Sequence, residues 1–113
     1  MNEERIEVVM EVQDGAQAVV LRGSLDSGHV RQAHDDVRQA VDMNADITVD
    51  LAGVAAIDAS GLQVLLVLQA ELRRRGRALR LRGVPEIVSR ALVRAGLERS
   101  FEVPGTAVEA ARG

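Results

Sequence analysis

The chain contains no cysteine, no tryptophan, no tyrosine and a single phenylalanine. It also contains no lysine, so all 14 of its basic residues are arginine. The lack of cysteine excludes disulfide scaffolds, thiolate metal sites and thiol chemistry. The lack of aromatic residues removes the usual stacking platform for a single-stranded nucleic acid or a sugar. A net charge of −3 argues further against a general nucleic-acid binder. Without lysine there is no Gly-x-x-x-x-Gly-Lys phosphate loop. Long apolar runs are missing too. The longest covers residues 64–68, far short of the roughly 20 residues of a membrane span. The acidic start, Met1-Asn2-Glu3-Glu4-Arg5, has no apolar core of a signal peptide. A cytoplasmic protein with no direct membrane insertion is expected.

What remains is an ordinary globular composition, 47% hydrophobic and 27% charged over 113 residues. That is enough chain for one domain with a real core, spanning 1–113, and too little for two. Ile6, Val8, Met10 and Val12 alternate with more polar neighbours, which predicts a half-buried first strand. Asp14-Gly15 signals a hairpin turn, and residues 18–21 supply a second strand. Gly23-Ser24-Leu25-Asp26 breaks the pattern. Ser27 is placed to cap a helix carrying Val30, Ala33, Val37, Ala40 and Val41. Residues 47–51 read as a fully buried strand that ends in a short turn.

A second helix is predicted over 61–75, its apolar face made of Leu62, Leu65, Leu66, Leu68 and Leu72 and its end marked by Gly76. Residues 77–82 alternate arginine with apolar residues, as in a strand with one wet face. Pro85 then opens a third helix carrying Ile87, Val88, Leu92 and Val93, which Gly96 stops. Phe101-Glu102-Val103 reads as a last strand, and 106–111 as a short terminal helical turn. The order is β-β-α-β-α-β-α-β with that short C-terminal helix after it. Strands joined by helical crossovers pair in parallel, so the expected fold is α/β: one mixed, mainly parallel sheet with helices packed on it.

Reactive groups are sparse. His29 and His34 are the only histidines. They stand five residues apart, a spacing that does not bring both to one helix face as a metal pair requires. Both read as solvent-exposed. Ala59-Ser60-Gly61 is not a Gly-x-Ser-x-Gly nucleophile elbow. Arg73-Arg74-Arg75 serves either as a patch for an acidic partner or, more simply, as a basic helix end that complements the dipole. No catalytic residue, metal or cofactor emerges, and an enzyme is not expected.

One constellation has specific content: Asp58-Ala59-Ser60-Gly61-Leu62, at the junction of the central strand and the second helix. Two readings of Ser60 stand side by side. Its hydroxyl can cap the helix, or it can accept a phosphoryl group, for which a helix N-terminus is a compatible setting. Gly61 removes bulk beside the serine, so a partner's active site could approach. Asp58 could accept turn hydrogen bonds or face an incoming metal–nucleotide complex.

With these residues the chain resembles a stand-alone STAS domain, the fold of anti-sigma factor antagonists and of the cytoplasmic tails of sulfate transporters. Three segments carry the likeness. They are Gly23-Ser24-Leu25-Asp26 before the first helix, the run from Val49-Asp50-Leu51 through Asp58-Ala59-Ser60-Gly61-Leu62, and Leu92-x-x-Ala95-Gly96-Leu97 with Phe101. The resemblance implies a bacterial regulator of transcription that docks on a serine-kinase anti-sigma factor. Phosphorylation at Ser60 would switch it off, and a phosphatase would reset it. It maps the acidic residue of the phosphorylation loop onto Asp58. The loop departs from the pattern at Ala59, where a hydroxyl residue is usual. The partner-facing side of the second helix would include Gln63, Val67, Ala70 and Arg74. The same fold also implies an alternative: a non-enzymatic subunit of a lipid-transport ABC system or of a chemosensory cluster, with Ser60 only a helix cap.

Overall fold

The computed structural model describes residues 7–13, 16–42 and 45–101. Strand β1 (Glu7–Gln13) pairs antiparallel with β2 (Ala16–Leu25). Helix α1 (Val30–Val41) leads to β3 (Ile47–Ile57), and α2 (Ala59–Arg74) leads to β4 (Leu79–Arg82). Helix α3 (Glu86–Arg94) follows. The four strands lie in the order β1-β2-β3-β4, with β2/β3 and β3/β4 parallel. This is the mixed, mainly parallel sheet that the element order predicts. The turn at Asp14-Gly15, the strand beyond Phe101 and the terminal helical turn lie outside the described residues; Phe101 itself sits in a bend and is buried.

Two strands run further than their apolar segments suggest. β3 does not turn after Leu51 but continues to Ile57, and β2 does not break at Gly23 but continues to Leu25. The two extensions pair with each other, Arg22 with Gly53, Gly23 with Val54, Ser24 with Ala56 and Leu25 with Ile57. Register shifts between Val20 and Arg22 and between Gly23 and Ser24 interrupt the two-residue alternation, which is why the pattern is lost to a sequence reading. Gly23 takes φ 110°, a conformation that only glycine adopts easily.

β3 is also less buried than its composition implies. Ile47, Val49 and Leu51 are buried, whereas Thr48 and Asp50 on the other face are partly exposed. There Asp50 pairs with Arg82 across to β4 at 3.0 Å and accepts the Ala52 N–H at 2.9 Å.

Two parallel connections that step the same way across a sheet place their helices on one face when each is right-handed. α1 and α2 accordingly pack against each other as well as on the strands. α1 contributes Ala33, Val37, Ala40 and Val41 to the core, and α2 contributes Leu62, Leu65, Leu68 and Leu72. They meet Leu21, Leu25, Ile47, Val49, Leu51 and Leu81 of the sheet, each such residue contributing about 1.5–3 kcal/mol on burial. Gly76 and Gly96 stop α2 and α3 as expected. Arg77 N–H donates back to Leu72 O and Leu97 N–H to Leu92 O, both at 2.8 Å. In α3 only Val88 and Leu92 are buried; Ile87 and Val93 are exposed.

Ser27 does not cap α1. His29 is the N-cap residue, and its side chain makes no capping bond. At the other end, Arg75 donates to Val41 O at 3.3 Å and lies 3.6 Å from Asp42, joining the C-termini of α2 and α1. Arg74 pairs with Glu71. The arginine run is therefore engaged with its own fold at two of three positions, in addition to complementing the α2 dipole.

The Gln17 side chain is 6% exposed, and its Oε1 has no hydrogen-bond partner among the described residues. An unpaired buried carbonyl is costly. Gln17→Met, of similar length, should therefore raise stability by about 1 kcal/mol in a urea titration; unchanged or lower stability would mean that Gln17 is satisfied in solution.

Candidate functional site

The site is built where β2 and β3 end together. Asp58 directly follows β3, in an extended conformation with φ −129° and ψ −171°, and is the N-cap of α2. Its Oδ1 accepts the Gly61 N–H at 3.1 Å and its Oδ2 the Ser27 N–H at 3.0 Å. Its own N–H donates to Leu25 O at 3.4 Å, while its carbonyl accepts from Leu62 N–H at 3.1 Å. One carboxylate thus ties the start of α2 to the loop between β2 and α1. That loop is folded around a second carboxylate. Asp26 Oδ1 accepts the Gly28 N–H at 3.1 Å and lies 2.8 Å from His29 Nδ1.

Ser60 is the second residue of α2, two places after its N-cap. The capping reading of Ser60 is corrected by this geometry: Asp58 holds that position because an Asx side chain reaches N3 from the N-cap. Asp58 is correspondingly engaged by two backbone donors, the turn-bonding role that the sequence offers for it. The Ser60 side chain is partly exposed, and among the described residues no hydrogen bond engages its hydroxyl. With Gly61 N–H taken by Asp58, the amides of Ala59 and Ser60 are the remaining orphan donors of the first turn. Ala59 is exposed beside them.

Gly61 has a different reason from the one its position suggests. A Cβ there would stand 2.1 Å from Leu25 O and 2.9 Å from Ile57 Cγ1. The glycine lets α2 seat against the end of β2, and it is buried, not open to a partner. Leu62 is buried behind it at 7% exposure. Beyond the loop, Gln63, Val67, Ala70 and Arg74 form an exposed stripe of α2, with Val67 50% exposed. Between Val67 and α1 runs a groove bordered by His34, Val37, Arg38, Val64 and Glu71. Both histidines are partly buried, His29 against Asp26 and His34 beside this groove, so neither is the freely exposed residue expected.

The tie from Asp58 to Ser27 is invisible in the sequence, since the partner is a backbone N–H 31 residues away. Asp58→Ala removes both bonds and should cost about 1–2 kcal/mol. Asp58→Asn should retain most of that stability. Amide hydrogen exchange at Ser27 and Gly61 checks the assignment: both should lose protection in the alanine variant, and unchanged protection would refute the tie.

A family model described as Mlab, STAS domain, matches residues 9–105 of the chain. The chain belongs to the STAS-domain family. Solved structures share this STAS fold. An anti-sigma factor antagonist from Mycobacterium paratuberculosis superposes with a TM-score of 0.77 at 21% identity, over 95% of this chain and 92% of that one. The Bacillus cell fate determinant SpoIIAA in its phosphorylated form superposes with a TM-score of 0.65 at 22% identity, over 94% and 97%. A sulfate transporter family protein from Wolinella succinogenes gives 0.66 at 23% identity, over 90% and 88%. At these identities the likeness is one of fold, and it includes both regulators and a transporter-family domain.

Proposed function

We propose that this STAS domain is an anti-sigma factor antagonist: a binding protein that docks on a serine-kinase anti-sigma factor and is released when Ser60 is phosphorylated. The observation that carries this reading is that Ser60 stands at the start of α2 with the capping work already done by Asp58. Its hydroxyl has no structural task among the described residues. It is partly exposed, and the orphan amides of Ala59 and Ser60 favour an anion next to it. The exposed stripe of Gln63, Val67 and Arg74 continues from the loop along α2 and serves as the partner-facing surface, mixed in character as transient interfaces are. Ala59 leaves the acceptor in place and removes only a neighbouring hydroxyl.

The second reading, a STAS subunit docked permanently on a transporter, is favoured by the transporter-family neighbour. It can use the same α2 stripe, but it leaves Ser60 without a role, since the cap is Asp58. A pull-down from the native lysate with tagged wild type and Ser60→Asp, in the presence of ADP, separates the two. Recovery of a serine-kinase anti-sigma factor by wild type alone supports the switch. Recovery of transporter subunits by both proteins sinks it.

A further inference from the structure

Among the described residues, the two edges of the sheet are built differently. β4 is four residues long and carries Arg80 and Arg82 on its far face, a short charged edge of the kind that discourages pairing. β1 is seven residues long, and among the described residues it pairs only with β2. Val8, Met10 and Val12 share one face of it, opposite Leu21, Val19 and Gln17 of β2. Two of these are poorly covered by the fold, Met10 at 37% and Val12 at 67% exposure. An apolar row on a full-length edge strand is a template for another strand.

The register available to a second copy of the same strand is restricted by charge. In an antiparallel pair about a two-fold axis normal to the sheet, each residue must meet one on its own face, so the axis passes through a residue and not between two. Centred on Met10, all seven residues pair. Met10 meets Met10, Val8 meets Val12, Val9 meets Glu11 and Glu7 meets Gln13. Moving the axis to Val9 sets Glu7 against Glu11 and shortens the ladder to 7–11. Moving it to Glu11 sets that residue against its own copy and shortens the ladder to 9–13. Like charges directly opposite are destabilising. One register is longest, apolar on one face, and free of a directly opposed glutamate pair.

We propose that β1 is a self-association edge, pairing antiparallel with β1 of a second copy about an axis through Met10, to give one continuous sheet across two chains. The contact is narrow, so it belongs to the transient class, below ~1,200 Å² of total buried surface. It is independent of the Ser60 reading and uses a different part of the molecule.

The absence of cysteine permits a clean test, because one introduced thiol per chain reports on one position. Across the axis the two Met10 Cα atoms stand roughly 4.5–5.5 Å apart, within disulfide reach. The two Val12 positions are separated by four residues of strand, about 14 Å, and cannot be bridged. Sedimentation of the wild-type chain should show monomer at about 1 µM and dimer at about 1 mM. Met10→Cys should oxidise to a covalent dimer at least about tenfold faster than Val12→Cys under the same conditions. Met10→Lys, which sets two cations face to face, should abolish the association while leaving the thermal melt unchanged. Monomer throughout the concentration range, equal oxidation of the two cysteine variants, or association that survives Met10→Lys would each overturn the proposal.

Discussion

Gly61→Ala is expected to destabilise the domain by about 2–3 kcal/mol, the reverse of what helix propensity alone forecasts. In an isolated helix the change from glycine to alanine stabilises by about 1 kcal/mol. Here the added methyl would lie 2.1 Å from Leu25 O, a backbone atom at the end of β2, and 3.0 Å from Leu25 Cγ. Leu25 is fully buried, and its carbonyl accepts the Asp58 N–H, so it cannot retreat without breaking the joint between strand and helix. The helix must shift instead, and the Asp58 cap on Gly61 shifts with it. Against a total stability of about 5–15 kcal/mol this is a large fraction. The melting temperature should fall by roughly 10 °C or more. A melt at or above wild type would mean that α2 does not seat against β2 as described.

Phosphorylation of Ser60 is expected to leave the fold intact and to lower affinity for the proposed anti-sigma partner about a hundredfold, or about 2.7 kcal/mol. The group adds a charge of about −1.5 to −2 and three acceptor oxygens. Within the free protein that charge sits at the N-terminus of α2, a setting worth about 0.3–1 kcal/mol in its favour. Asp58 is close by in sequence, but its oxygens are held by Ser27 N–H and Gly61 N–H, which balances part of the repulsion. Inside a docked interface the same dianion must be desolvated next to the Asp58 carboxylate, without water to screen it. Phosphoryl transfer from ATP by the purified partner should label wild type and not Ser60→Ala. Titration calorimetry should rank Ser60→Ala with wild type and Ser60→Asp well below both. Equal affinity of the alanine and aspartate variants would remove the switch.

The loop that carries this chemistry is legible in the sequence, because Asp, Ser and Gly at the end of an apolar strand mark a helix start on local grounds. Which of them caps the helix is not. Asp58 and Ser60 are both good capping residues, and the choice depends on where the strand ends. The apolar strand segment read from the sequence ends at Leu51, which predicts a turn there. Pairing with the extension of β2 instead carries the strand to Ile57 and delivers Asp58, not Ser60, to the N-cap. At the other end of that tie, the Ser27 N–H is spent on Asp58, and α1 begins from His29. Gly61 is legible as a residue that has to be small, but the atom that demands it, Leu25 O, lies 36 positions earlier in the chain.

Spacing within single segments dictates the periodic features: the order of strands and helices, the apolar faces of α1 and α2, and the glycine stops at Gly76 and Gly96. Motif residues in the same segments carry the family. Hydrophobic burial follows such spacing directly, so these features can be read from the residues in line. The partners come instead from contacts across the fold. They include the continuation of β2 and β3 through two register shifts, the carboxylate that bridges two loops, and the sheet edge offered by β1. Each depends on a backbone group or a close approach supplied by a distant part of the chain, and backbone amides and carbonyls are the same at nearly every position of a sequence.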